Sequence, residues 1–258
     1  MDAAPAATTT AATAVSGGTA NPPAGEALAF ADQVADGAAE VEPEPDGAPA
    51  GAEPGSSPVD LTSPIVWVRG GESVAVLDAP AGERIAKQGD ETEFGSPSVF
   101  SVQRQRDGWI GVSTPLSANG ELGWIRADSR ELRAGRVEHA ILVDLSERVA
   151  RLYETGAQVR SWVVTVGSES SPTPIGTFAI TDTFRGGLNP AYGCCAVAIS
   201  ATQPNLPADW PGGNRIAFHG TGGPLGVAAS LGCLRSEDRD LKALLETVPL
   251  GTPVTIRE

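Results

Sequence analysis

The chain has 258 residues and a formal net charge of −14 at pH 7, and the charge is concentrated at one end. Residues 1–60 hold ten acidic side chains and neither lysine nor arginine, so they carry −10 and the rest of the chain only −4. A near-neutral globular part lacks the basic face needed to meet phosphates, which excludes a nucleic-acid binder. Residues 1–60 are Ala, Pro, Gly, Thr and acid, with Leu28, Phe30 and Val34 almost the only larger apolar side chains. Such a segment buries too little surface to offset the entropy of ordering it, and reads as a disordered tether or solvating tail. At that length its r.m.s. span is roughly 40 Å. Residues 1–20 show neither a cationic start nor an apolar core, and no apolar run approaches a transmembrane span.

Residues 64–133 form the second unit. Short Val/Ile/Trp runs at 65–68, 73–77, 99–103, 109–112 and 122–125 alternate with Gly, Pro, Asn and Asp turns. That spacing suits a small antiparallel barrel. Residues 74–80, 107–112 and 123–126 resemble a bacterial SH3-like domain, which implies a unit that binds wall components or packs against an enzyme. Trp67, Trp109 and Trp124 read first as core, with an exposed glycan or peptide platform as the alternative.

From residue 137 the pattern is again strands. Residues 139–145 and 149–153 make a hairpin around Ser146-Glu147-Arg148, and 160–166 alternates as a third strand. His139 opens the first of these beside Glu138 and reads as a surface residue. A strand at 177–181 leads into a loop over 184–192, then Cys194 and Cys195 enter a strand at 196–200. Extended, the adjacent cysteines point to opposite faces; a vicinal disulfide is the alternative. Residues 203–213 form a proline-rich loop in which Trp210 either lines a groove or anchors the loop on the sheet.

Residues 216–235 hold one of two histidines and one of three cysteines, each beside a glycine. A thiol and an imidazole across a glycine-rich loop are what nucleophilic acyl transfer requires, with Cys233 as nucleophile and His219 as base. Leu241, Leu244, Leu245 and Val248 follow at helical spacing behind Ser236, read as the helix N-cap. The helix N-terminus and Arg235 would then favour the thiolate, and the N–H groups of Gly232 and Cys233 would face an oxyanion. The carbonyl of Gly220 is the expected partner orienting the histidine ring. A zinc site from His219, Cys233 and one of the paired cysteines is a further reading, at odds with a free nucleophile.

His-Gly-Thr at 219–221, a Gly/Pro-rich loop, and Ser-Leu-Gly-Cys-Leu-Arg at 230–235 resemble the signature of the L,D-transpeptidase catalytic domain, the YkuD-type family. Strands at 141–152 and 163–166 and the Pro-Thr-Pro-Ile-Gly-Thr-Phe run at 172–178 resemble its upstream elements, so that the resemblance covers residues 137–258. This chain has Leu231 where many members have a histidine. The resemblance implies an all-β protein: disordered tail, SH3-like small barrel, then a YkuD-type β-sandwich with one C-terminal helix. It also implies a peptidoglycan L,D-transpeptidase that forms 3→3 cross-links through a Cys233 thioester, releases D-Ala and uses neither metal nor organic cofactor. Peptidoglycan stem peptides are the implied partners, with carbapenem-type inhibitors as acylating agents. Thr221, Ser230 and Arg235 are matched motif positions and, with Tyr192 and Trp210, the candidate substrate contacts. Work on the cell wall implies export, with the leader or anchor missing from this sequence. A cysteine-dependent carboxypeptidase that trims stem peptides, and a non-catalytic wall-binding protein, remain alternatives.

Overall fold

The computed structural model describes residues 62–258, so the expected tether at 1–60 lies outside the described residues. The first unit contains β1 (Ser63–Val68), β2 (Ser73–Leu77), β3 (Arg84–Gly89), β4 (Val99–Arg106), β5 (Trp109–Val112), β6 (Gly123–Arg126) and β7 (Leu132–Val137). They form one seven-stranded sheet in the order β3-β2-β6-β5-β4-β1-β7. Alternation builds its core: Val66 and Val68, Val74 and Val76, and Ile110 and Val112 point inward from their strands. Trp124 is buried, whereas Trp67 and Trp109 are half-buried, with the Arg126 guanidinium 5.3 Å from the Trp109 ring centroid.

Two strands here carry no clear sequence signal. β3 is the outermost strand, reads Arg-Ile-Ala-Lys-Gln-Gly and leaves Ile85 exposed. β7 is the opposite edge, with only its two end residues buried. Edge strands bury little and therefore show little apolar periodicity.

The second unit contains β8 (His139–Asp144), β9 (Val149–Glu154), β10 (Ala157–Val163), β11 (Val166–Gly167), β12 (Gly176–Phe184), β13 (Ala196–Thr202), β14 (Arg215–Gly220), β15 (Ala228–Ser230), β16 (Leu234–Ser236), α1 (Asp238–Thr247) and β17 (Pro253–Arg257). Eight of its strands run in the order β10-β9-β8-β17-β12-β13-β14-β16, and β11 pairs with β15. The described residues are therefore all-β apart from α1 and one 3-10 turn at Pro190–Tyr192. No helix among them is long and apolar enough to cross a membrane.

β17 was not legible beforehand: it is a five-residue C-terminal strand that sits between β8 and β12, parallel to β8. The helix appears where its periodicity places it, burying Leu241, Leu244 and Leu245. Its N-cap is Glu237, not Ser236. Ser236 is instead a buried residue of β16, and its Oγ accepts a hydrogen bond from Trp162 Nε1 at 3.1 Å.

The two faces of β13 and β14 differ, and that difference creates the site. Val197, Ile199, Ile216 and Phe218 point into the main core with Trp162 and the α1 leucines. Ala196, Ala198 and Ala217 point the other way, into a small second cluster with Tyr192 and Cys233. A bulge between Ile180 and Asp182 brings Asp182 opposite Ala198 and Phe184 opposite Ala196, onto this second face.

The two units touch along this same region. Asn119 Nδ2 donates to Thr202 O at 2.6 Å while Asn119 Oδ1 accepts from Thr202 N–H at 2.9 Å. The loop between β3 and β4 reaches further, with Thr92 Oγ1 donating to Asp182 Oδ1 and Glu93 paired with Arg215.

Candidate active site

His219 lies in β14 directly opposite Arg235 of β16, a parallel pair. Cys233 is two residues before Arg235, so strand alternation sets it on the histidine's side of the sheet. The packing agrees: Cys233 clusters with Tyr192, and the Tyr192 ring meets the His219 ring edge-on at 4.9 Å and 79°. Both Cys233 and His219 are fully buried.

His219 Nδ1 lies 2.7 Å from Gly220 O. A carbonyl oxygen only accepts, so Nδ1 carries the proton and Nε2 of the neutral ring keeps its lone pair. The ring orientation expected from the sequence is therefore present.

The turn carrying Cys233 is held from several directions. Gly232 adopts φ +109°, and a Cβ there would lie 2.3 Å from Gln203 Nε2. Thr173 Oγ1 donates to Gly232 O at 2.8 Å and accepts from Gly167 N–H at 2.9 Å. Gln203 Nε2 donates to Pro172 O and to Leu231 O, each at 3.0 Å. Ser230 Oγ donates to Cys233 O at 2.6 Å and accepts the Gly232 N–H at 3.0 Å. Each such bond contributes on the order of 1 kcal/mol net, and each costs more to leave half-made in a buried site.

These bonds revise three expectations. The Gly232 N–H is engaged by Ser230, so it is not available to an oxyanion without breaking that bond. Ser230 is fully buried, and its hydroxyl braces the turn of Cys233 rather than facing a substrate. The helix N-terminus is not at the thiol either, because β16 separates Cys233 from α1, whose first turn carries Asp238 and Asp240. A helix dipole decays within about one turn. Asp238 Oδ1 accepts the Cys194 N–H at 3.0 Å instead.

The remaining candidates divide. Tyr192 is fully buried against the histidine ring. Gly193 lets that segment in: its φ is +62°, and a Cβ would lie 2.6 Å from Gly220 Cα. Thr221 is half-buried, and its Oγ1 accepts from Gly223 N–H at 3.0 Å within its own loop. Arg235 is half-buried and its backbone exchanges two hydrogen bonds with Thr165. Trp210 Nε1 donates to Gly213 O at 2.9 Å, which anchors its own loop. His139 is far along the sheet order, paired with Glu154. Cys194 and Cys195 are bonded to each other, so the vicinal disulfide holds and Cys233 lies outside it. That bond also removes both from any zinc ligand set with Cys233.

Gln203, Thr173 and Arg215 are the residues sequence reasoning passed over. Thr173 was visible only as part of a turn motif, and Gln203 gave no signal inside its loop. Arg215 did offer one: a lone cation opening an Ile-Ala-Phe strand. It is 5% exposed, its Nε and Nη2 donate to Ile199 O at 3.2 and 3.0 Å, and Nη2 also donates to Thr181 Oγ1.

Residues 138–256 match the family model of the L,D-transpeptidase catalytic domain, YkuD. Among curated proteins, "Putative L,D-transpeptidase YkuD" of Bacillus licheniformis is 31% identical over 122 residues, 46% of this chain. The match spans 66% of that relative's length, just under two thirds. Among solved structures, the helical cell shape determining protein Pgp2 from Campylobacter jejuni is similar at 22% identity and a TM-score of 0.37, over 46% of this chain and 47% of that one. The L,D-transpeptidase LdtMt1 in complex with imipenem is similar at 16% identity and a TM-score of 0.39, over 63% and 92%.

Proposed function

With residues 138–256 matching an L,D-transpeptidase catalytic domain, we propose that this protein is a cysteine acyltransferase that cross-links peptidoglycan stem peptides. The observation that carries the reading is that a thiol outside any disulfide, Cys233, shares one sheet face with a histidine whose Nδ1 is fixed by Gly220 O. His219 Nε2 takes the proton from the Cys233 thiol as sulfur attacks the carbonyl that links the third stem residue to D-Ala. The C–N bond breaks as His219 returns the proton to the leaving amine, which gives free D-Ala and a Cys233 thioester. An amine from a neighbouring stem then attacks the thioester, His219 accepts its proton, and a 3→3 cross-link forms as the thiol is regenerated.

The same reading places the protein outside the cytoplasmic membrane, with residues 1–60 as a tether and the first sheet as an SH3-like small barrel docked on the enzyme. The test is mass spectrometry of the full chain incubated with disaccharide-tetrapeptide, beside a Cys233→Ala control. A dimer lacking one D-Ala, absent from the control, is expected. Tripeptide alone would replace the transferase by a trimming hydrolase, and an unchanged tetrapeptide would reject acyl transfer on this substrate. Carbapenem exposure should add one drug mass to Cys233 and none to the control.

A further inference from the structure

Cys233 is fully buried, and Phe184 and Leu188 are the half-buried side chains packed on the outside of its cluster. The other members are Tyr192 and the alanines of β13 and β14, which the strand ladders hold in place. Phe184 is the last residue of β12, and Leu188 lies in the connection that follows it to β13, whose residues 185–187 and 189–191 are exposed. Lifting this segment, whose two apolar side chains pack on the Cys233 cluster, opens a route to the thiol.

We infer that Phe94, from the loop between β3 and β4 of the first unit, is a positioning residue that governs how readily this cover leaves Cys233. The Phe94 ring meets the Phe184 ring edge-on, with centroids 5.5 Å apart at 80°. Its own position is fixed by a stiff base. The Arg215 guanidinium stands 5.6 Å from the Phe94 centroid and is paired with Glu93 in the same loop. Thr92 Oγ1 donates to Asp182 Oδ1, two residues before Phe184. Thr92 also gathers the loop internally, its Oγ1 accepting from the N–H groups of Phe94 and Ser96. The first unit thus grips β12 at Asp182 and β14 at Arg215, and extends one ring to the residue at which the cover begins.

A contact shifts an equilibrium only by what it contributes to one state over the other. The Phe94–Phe184 contact belongs to the covered state, so it holds the cover down. A perpendicular aromatic pair of this geometry biases such an equilibrium by roughly two- to tenfold. The inference adds to the proposed acyl transfer a role for the first unit at the entrance to Cys233, but its test needs only the thiol.

The test is the rate of Cys233 alkylation by iodoacetamide in the folded full chain, read by peptide mass spectrometry. Phe94→Leu should raise the rate roughly two- to tenfold, while Phe94→Tyr, which keeps the ring, should stay at the wild-type rate. Hydrogen exchange of amides 185–193 should quicken in the leucine variant without a matching change in β4 and β5. Phe184→Leu carries the same test from the other ring, and in the double variant the two increases should not multiply. A wild-type rate in both leucine variants, an equal rise in Phe94→Tyr, or multiplying effects in the double variant would overturn the inference. None of these readouts depends on transpeptidase activity, so a failed cross-linking assay leaves them intact.

Discussion

Gly232→Ala should cripple the protein through a side chain of one carbon. At φ +109° an L-residue is strained by about 1–3 kcal/mol. The added Cβ would sit 2.3 Å from Gln203 Nε2 and 2.9 Å from Ile216 Cδ1. Gln203 is the easier to move, but moving it breaks its bonds to Pro172 O and Leu231 O, at about 1 kcal/mol each. The total is about 3–5 kcal/mol, a large part of a typical domain's stability. Urea unfolding at pH 7 reads the loss, and the rate of Cys233 acylation by a carbapenem reads the displaced turn. The cycle with Gln203→Ala isolates the clash: the double variant should lose clearly less than the sum of the two singles. A loss under about 1 kcal/mol, or full additivity, would refute the claim that Gln203 fills the space above Gly232.

Three further outcomes follow from the same geometry. Thr173→Val leaves Gly232 O and Gly167 N–H without their partner, and should cost about 1–3 kcal/mol by urea unfolding while slowing Cys233 acylation. Arg215→Met removes the cation 3.6 Å from fully buried Asp182 and should cost about 3–5 kcal/mol, with Arg215→Met/Asp182→Asn recovering part of it in the same assay. Asp144 is held below its ordinary range: burial alone would raise it, but the Glu147 N–H, the Ser146 hydroxyl and the Arg257 and Arg151 cations together prevail. Its contribution is therefore present above the unfolded value of about 3.9 and is lost as pH falls through the lower folded value. Asp144→Asn should cost about 1–2 kcal/mol at pH 7 and progressively less as pH falls below about 3.9, measured by urea titrations across that range.

The candidate thiol and imidazole were readable because nucleophilic chemistry restricts residue type. With only three cysteines and two histidines, the pair set beside glycines at 219 and 233 stood out, and the amphipathic leucines placed α1. Central strands were legible from alternation, and the Gly220 carbonyl from simple adjacency to His219. What escaped depended on neighbours distant in sequence. Edge strand β3 buries almost nothing, so it leaves no apolar pattern. β17 owes its place to partners in β8 and β12 more than a hundred and about seventy-five residues away in sequence. Ser236 looked like a helix cap, yet the Trp162 indole and the parallel ladder to β14 drew it into a strand. The vicinal cysteines allowed two states, and only their folded surroundings chose one.

Local pattern, then, determined which residues form strands, where the helix runs and which thiol and imidazole are candidates, because each follows from side chains a few positions apart. The tertiary structure alone decided that the turn carrying Cys233 hangs on Thr173 and Gln203, and that a loop of the first unit reaches Phe184 at the end of β12. Those are hydrogen bonds and ring contacts between segments tens of residues apart, and their geometry exists only once the sheet has brought the segments together.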